Sequence, residues 1–153
     1  MALFLIKYVI INVQVPSSSM ETTIMEGDRL FGSRVVYTYS EPKRGDVVVF
    51  RYPDDETVLF TKRVIGCPGD EVEGRDGYVY VNSEKLEEPY VKEKLKQDFK
   101  KYKVPEDCYF VLGDNRNNSL DSRYWKNTFV KKSQLVGRLF FRYFPINKMC
   151  IIS

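Results

Sequence analysis

Along this chain apolar residues gather in short runs separated by charged, turn-forming clusters. "EGD" at 26–28, "KRGD" at 43–46, "CPGD" at 67–70 and "RDG" at 75–77 are turn material, since glycine takes positive φ freely and aspartate bonds its own backbone. Between them β-rich runs cover residues 29–39, 47–52, 57–65, 78–81, 108–112 and 135–143. No sustained 3.6-residue apolar period competes with them, so the spacing predicts a mostly β fold, a sheet or barrel with little helix. The best helix candidate, residues 91–102, is mostly polar and fits an exposed loop equally well. The opening run, MALFLIKYVIINVQV, is apolar but interrupted by Lys7, Asn12 and Gln14. It falls short of the roughly 20 residues a spanning helix needs. Residues 1–8 read as the end of a membrane anchor, and 9–153 as one β domain that starts with a strand. A removable leader is disfavoured, because the small-residue cleavage site it needs is missing.

Composition adds constraints. A chain of 153 residues with 43% apolar content supports a single core,. The formal charge of +3, from 24 basic and 21 acidic residues, is too mild to argue for nucleic acid,. The excess is local: residues 92–103 hold six lysines, which reads as a solvated face, with attraction to an anionic lipid surface as the alternative. There is no histidine, and Cys67, Cys108 and Cys150 form no CxxC, so no ordinary zinc site is expected. Their odd number leaves at least one thiol unpaired and their pairing open.

The strand VLFTKRVI (58–65) contains the residue least at home in its setting. Read with period two, Val58, Phe60, Lys62 and Val64 share one face. Both faces are largely apolar, which predicts a strand buried on two sides and a lysine among apolar neighbours. Either the ammonium snorkels to solvent or an ion partner, or desolvation holds it neutral near pH 7. The second requires its pKa to fall from about 10.4 towards 8, at a cost of roughly 3 to 4 kcal/mol. A neutral lysine is the general base that a serine nucleophile needs where histidine is absent. The stretch VPSSSMETT (15–23) supplies candidate serines. Ser40 to Lys43 also spells SxxK, but Pro42 disfavours the helix that motif requires and its companions SDN and KTG are missing.

Four blocks in order, PSSSMETTIMEGD (16–28), RGDVVVFRYP (44–53), TKRVIGCPGD (61–70) and GDNRNNSLDSRYW (113–125), resemble the bacterial type I signal peptidases. The resemblance implies a signal-peptidase/LexA-like fold of antiparallel β-sheets, with residues 71–107 as a variable hairpin or loop insertion. It implies Ser19 as nucleophile and Lys62 as general base. The oxyanion hole would be formed by the Ser17 hydroxyl and the Ser19 N–H, with Ser18 a spacer. Ser119 would orient Lys62 by a hydrogen bond, and Asp121 and Arg123 would form a supporting ion pair. Asp114 and Arg116 read as structural. Apolar residues near the dyad, Met20, Ile24, Leu30, Val58 and Phe60, are expected to wall the substrate pocket.

By the same resemblance the chain is a serine endopeptidase that removes signal peptides from exported pre-proteins after an Ala-x-Ala-like motif. It would work at the extracytoplasmic face of the bacterial membrane, with no metal and no cofactor. Thr22 stands where the family usually has proline. Two rivals carry less: a non-catalytic peptide-binding β domain with a decayed site, and a self-cleaving repressor-type protease. The second would need a DNA-binding segment and an internal Ala-Gly site, and Ala2 is the only alanine in the chain.

Overall fold

The computed structural model describes residues 9–153; the anchor segment read at 1–8 lies outside them. Twelve strands form among the described residues: β1 (Ile10–Gln14), β2 (Arg29–Ser33), β3 (Val47–Tyr52), β4 (Asp55–Gly66), β5 (Glu71–Arg75), β6 (Tyr78–Val81), β7 (Glu84–Lys85), β8 (Phe99–Lys103), β9 (Cys108–Leu112), β10 (Val130–Lys131), β11 (Leu135–Phe144) and β12 (Cys150–Ile151). The main sheet runs β1-β2-β11-β3-β4-β9-β10, with β12 on β11, and the smaller one runs β7-β6-β5-β8. Every pairing is antiparallel. The fold is therefore the mostly β one that the alternation of runs and turns predicts, with the antiparallel sheets that the resemblance implies.

Packing follows from which strands are covered on both faces. Val47, Val48, Val49 and Phe50 of β3 are all buried. Val47 and Val49 join a core with Ile11, Met20, Ile24, Leu30 and Leu139, while Val48 and Phe50 join Val64, Tyr109 and Trp125. A third cluster, with Ile65, Val72, Val79 and Phe110, fastens the small sheet to β4 and β9.

Three expectations change. The run 29–39 is not one strand: β2 stops at Ser33 and a single helical turn, α1, takes Val36–Tyr39. Residues 91–102 form no helix; their last part enters β8, with Phe99 opposite Gly74. The bare backbone of Gly74 makes room for the Phe99 ring, which a Cβ there would meet at 2.4 Å, and pairing with β5 satisfies backbone that a polar helix would leave poorly packed. The strand around Lys62 is also longer than expected and only half of it is covered on both sides. Residues 59–61 pair with β3 alone, whereas β9 joins from Arg63 onward. Val58 and Leu59 are consequently 39% and 54% exposed.

Candidate active site

Ser19 lies in the turn that follows β1, and Lys62 lies in β4 opposite Val48. The Lys62 Nζ donates to Ser19 Oγ at 2.7 Å, across 43 residues of sequence. Both side chains are buried, Lys62 to 4% exposure. Burial pulls the Lys62 pKa down to about 8, against the opposing pull of Asp121 and Asp114. No carboxylate lies within ion-pair distance of Nζ among the described residues. Its aromatic neighbour is Phe60, with the ring centroid 5.2 Å away. Of the two readings left open for this lysine, the site matches the desolvated one.

The turn is held by its own backbone. Glu21 N–H donates to Ser18 O and Ile24 N–H to Met20 O. Ser17 Oγ stands 3.4 Å from Ser19 Oγ, and among the described residues the Ser19 N–H has no protein acceptor. A hydroxyl and a free amide beside the Ser19 hydroxyl are the donor types that meet an oxyanion. Thr22 is exposed, and the peptide bond before it is cis.

A cavity of about 610 Å³ opens onto the dyad. One wall is β1 and the turn after it, from Asn12 to Met20; the other is β4 from Val58 to Lys62, with Asn118 and Leu120 at the rim. Met20, Val58 and Phe60 line it as expected. Ile24 and Leu30 do not: each is fully buried in the core beneath β3, because an apolar residue close in sequence to Ser19 is as easily turned under the sheet as into the cleft. Leu59 and Leu120, which the sequence reading left out, line the cavity instead. Leu59 is reached because the half of β4 without a second neighbour exposes residues from both faces.

The loop 113–123 braces the site from behind. The Arg123 guanidinium forks onto Asp121 at 2.7 and 2.8 Å and also reaches Arg116 O, while Asp121 accepts the Gly113 N–H at 3.1 Å. Ser119 Oγ is buried but has no hydrogen-bond partner among the described residues, and the expected bond to Lys62 is not formed. A Cβ on Gly113 would sit 2.2 Å from Ser119 Oγ and 2.4 Å from Ser19 O; only glycine lets the loop approach this closely. Asp114 and Arg116 take structural partners. Asp114 receives Arg63 in a two-pronged pair at 2.9 and 2.8 Å, and Arg116 pairs with Glu88. Ser18 is more than a spacer: Asn115 Nδ2 donates to its carbonyl and Asn118 Nδ2 to its hydroxyl. These asparagine contacts were not foreseen. The only sequence signal was the asparagine-rich composition of the loop, which any tight turn shares.

Comparison with known proteins identifies the family. The model of a family described as "Signal peptidase, peptidase S26" matches residues 1–144. A probable signal peptidase I-2 of Synechocystis is 43% identical over 91% of this chain, which spans 65% of that relative's length. A signal peptidase I of Bacillus licheniformis is 40% identical over 88% of the chain and 77% of its own length. Among solved structures, a signal peptidase I from Enterococcus faecalis superposes with a TM-score of 0.57 at 39% identity, over 65% of this chain and 97% of that one. Matched over most of its length by the family model and by relatives of about 40% identity, the chain belongs to the signal peptidase family, peptidase S26.

Proposed function

We propose that this chain is a serine endopeptidase that removes signal peptides from exported pre-proteins, with Ser19 as nucleophile and Lys62 as general base. The observation that carries the reading is the 2.7 Å contact between Ser19 Oγ and a lysine buried without a carboxylate partner. Neutral Lys62 takes the hydroxyl proton as Oγ attacks the scissile carbonyl. The oxyanion meets the Ser17 hydroxyl and the Ser19 N–H, each worth a few kcal/mol in such a role. Protonated Lys62 then gives its proton to the leaving amine, and water activated by the same lysine hydrolyses the ester.

The cleft suits an extended chain. Among the described residues β1 pairs on one side only, with β2, and residues 59–61 of β4 pair only with β3, so strand edges border the cavity on both sides. A substrate strand seated there gains main-chain hydrogen bonds, while Val58, Leu59, Phe60 and Met20 favour small apolar side chains such as those of an Ala-x-Ala motif. The relatives named signal peptidase I support action on signal peptides, and the reading puts that action at the extracytoplasmic face of a bacterial membrane. Among the described residues no helix is long and apolar enough to cross one. The test is cleavage of a signal-peptide substrate in detergent by the wild type, Ser19→Ala and Lys62→Ala. Both variants should be inactive, and full activity in either ends the dyad reading.

A further inference from the structure

The two amide groups of Asn115 converge on the nucleophile turn. Its backbone N–H donates to Ser19 O at 3.1 Å, and its side-chain Nδ2 donates to Ser18 O at 3.1 Å. One residue therefore holds two consecutive carbonyls of the turn. Asn115 does not line the cavity, whereas Ser18 and Ser19 do. Both carbonyls are thus drawn to the side of the turn away from the substrate cleft. In a planar trans peptide the C=O and the following N–H point in opposite directions, and the cis bonds among the described residues lie elsewhere, before Thr22 and Pro145. Fixing the Ser18 carbonyl on Asn115 consequently turns the Ser19 N–H towards the cavity, where it has no protein acceptor.

From this geometry we infer that Asn115 is a positioning residue for the oxyanion hole: it sets the plane of the Ser18–Ser19 peptide so that the Ser19 N–H faces the developing oxyanion. The inference rests on the Ser-Lys reading above. Asn115 touches neither substrate nor the reacting atoms. The local turn alone gives the Ser18 carbonyl a single further donor, the Glu21 N–H at 3.1 Å, which leaves the plane free to tilt about that bond; the second donor from a different segment removes the freedom. The Ser119 and Gly113 packing keeps the loop close enough for the contact. Gly113 stands two residues before Asn115, and a Cβ on it would overlap Ser19 O.

The experiment uses the full chain and a signal-peptide substrate in detergent. Wild type, Asn115→Ala, Asn115→Asp and Ser19→Ala are compared in kcat, KM, thermal midpoint and the pH profile of kcat/KM. Asn115→Ala keeps the backbone N–H and loses Nδ2, so kcat should fall about 10- to 100-fold, a part of what removing an oxyanion donor outright costs. KM should stay within about twofold and the alkaline midpoint should not move, since Lys62 and Ser19 keep their contact. Asn115→Asp, which places a carboxylate against the Ser18 carbonyl, should be slower still. The inference is overturned if Asn115→Ala has kcat within twofold of wild type, or if its loss appears in KM, or if the pH midpoint shifts with it, which would mean that the whole turn or the dyad has moved. Ser19→Ala separates the two readings. If it is inactive while Asn115→Ala is normal, only the positioning role falls. If it is active, the Ser-Lys mechanism falls first.

Discussion

Lys62 and Arg63 are neighbours on β4, both cationic and both buried, to 4% and 1% exposure, yet their surroundings are opposites. Strand alternation sends them to different faces. Arg63 meets the Asp114 carboxylate with two nitrogens, and its guanidinium also donates to Gly45 O, Ser153 O and Thr23 Oγ1, with the Tyr90 ring 3.9 Å from its Cζ. Among the described residues the Lys62 ammonium has one hydrogen bond, to a neutral hydroxyl. A planar five-donor cation that stays charged suits a pin between segments, whereas a compact ammonium whose pKa yields to burial suits a base. Position on the strand, and not charge, decides which cation meets a carboxylate and which is left desolvated.

Breaking each cation in turn should separate the two roles, with the largest effect at the base. Lys62→Met should cost about 10⁴-fold or more in kcat while raising stability near neutral pH, and urea unfolding together with peptide cleavage will show both. The sign follows from linkage. The folded-state pKa, about 8, lies below the unfolded value of about 10.4, so the charged lysine costs the native state most below pH 8 and nothing above about pH 10.5. The stability gain, of order 3 kcal/mol at pH 7, should shrink as pH rises through that window.

Removing the partner of the other cation should act in the opposite sense. Asp114→Ala strands a buried guanidinium and should destabilise the fold by about 3 to 5 kcal/mol, read from denaturant midpoints. The pH midpoint of whatever activity the folded fraction keeps should move to lower pH, since Asp114 also raises the Lys62 pKa through space.

For the wild type, kcat/KM should fall about tenfold per unit below a midpoint near pH 8, because only neutral Lys62 accepts the serine proton,. A profile flat down to pH 5 contradicts a lysine base. The smallest effect is the most discriminating. Asp121 raises the lysine pKa through space, so Asp121→Asn should move the midpoint to lower pH even as it weakens the Arg123 pair. A midpoint that stays put would mean that Lys62 does not sense the loop.

Much of the site was legible because its chemistry is local in sequence. A lysine spaced among apolar residues at period two, a serine cluster behind a first strand and the absence of histidine raised a Ser-Lys pair as a candidate, and the resemblance of whole blocks then pointed to Ser19 and Lys62. Ser17 and the Asp121–Arg123 pair followed from the resemblance of whole blocks. What went unread depends on partners far along the chain. Whether Ile24 faces the cleft or the core depends on how the turn sits on β3. Leu59 is exposed because β9 begins pairing only at Arg63. The asparagines of the loop look like turn residues until the loop is seen against Ser18 and Ser19.

The sequence by itself determined the β class, the turns and the blocks that carry the family resemblance, since pleat period, glycine and proline punctuation and residue chemistry are properties of short segments. Only the tertiary structure decided that Lys62 has no counter-charge while Arg63 has one, that Ser119 leaves Lys62 to Ser19, and that Asn115 holds the turn carrying the nucleophile. Desolvation, ion pairing and the aim of a peptide plane are set by atoms brought together from distant parts of the chain, and no local pattern records which ones will meet.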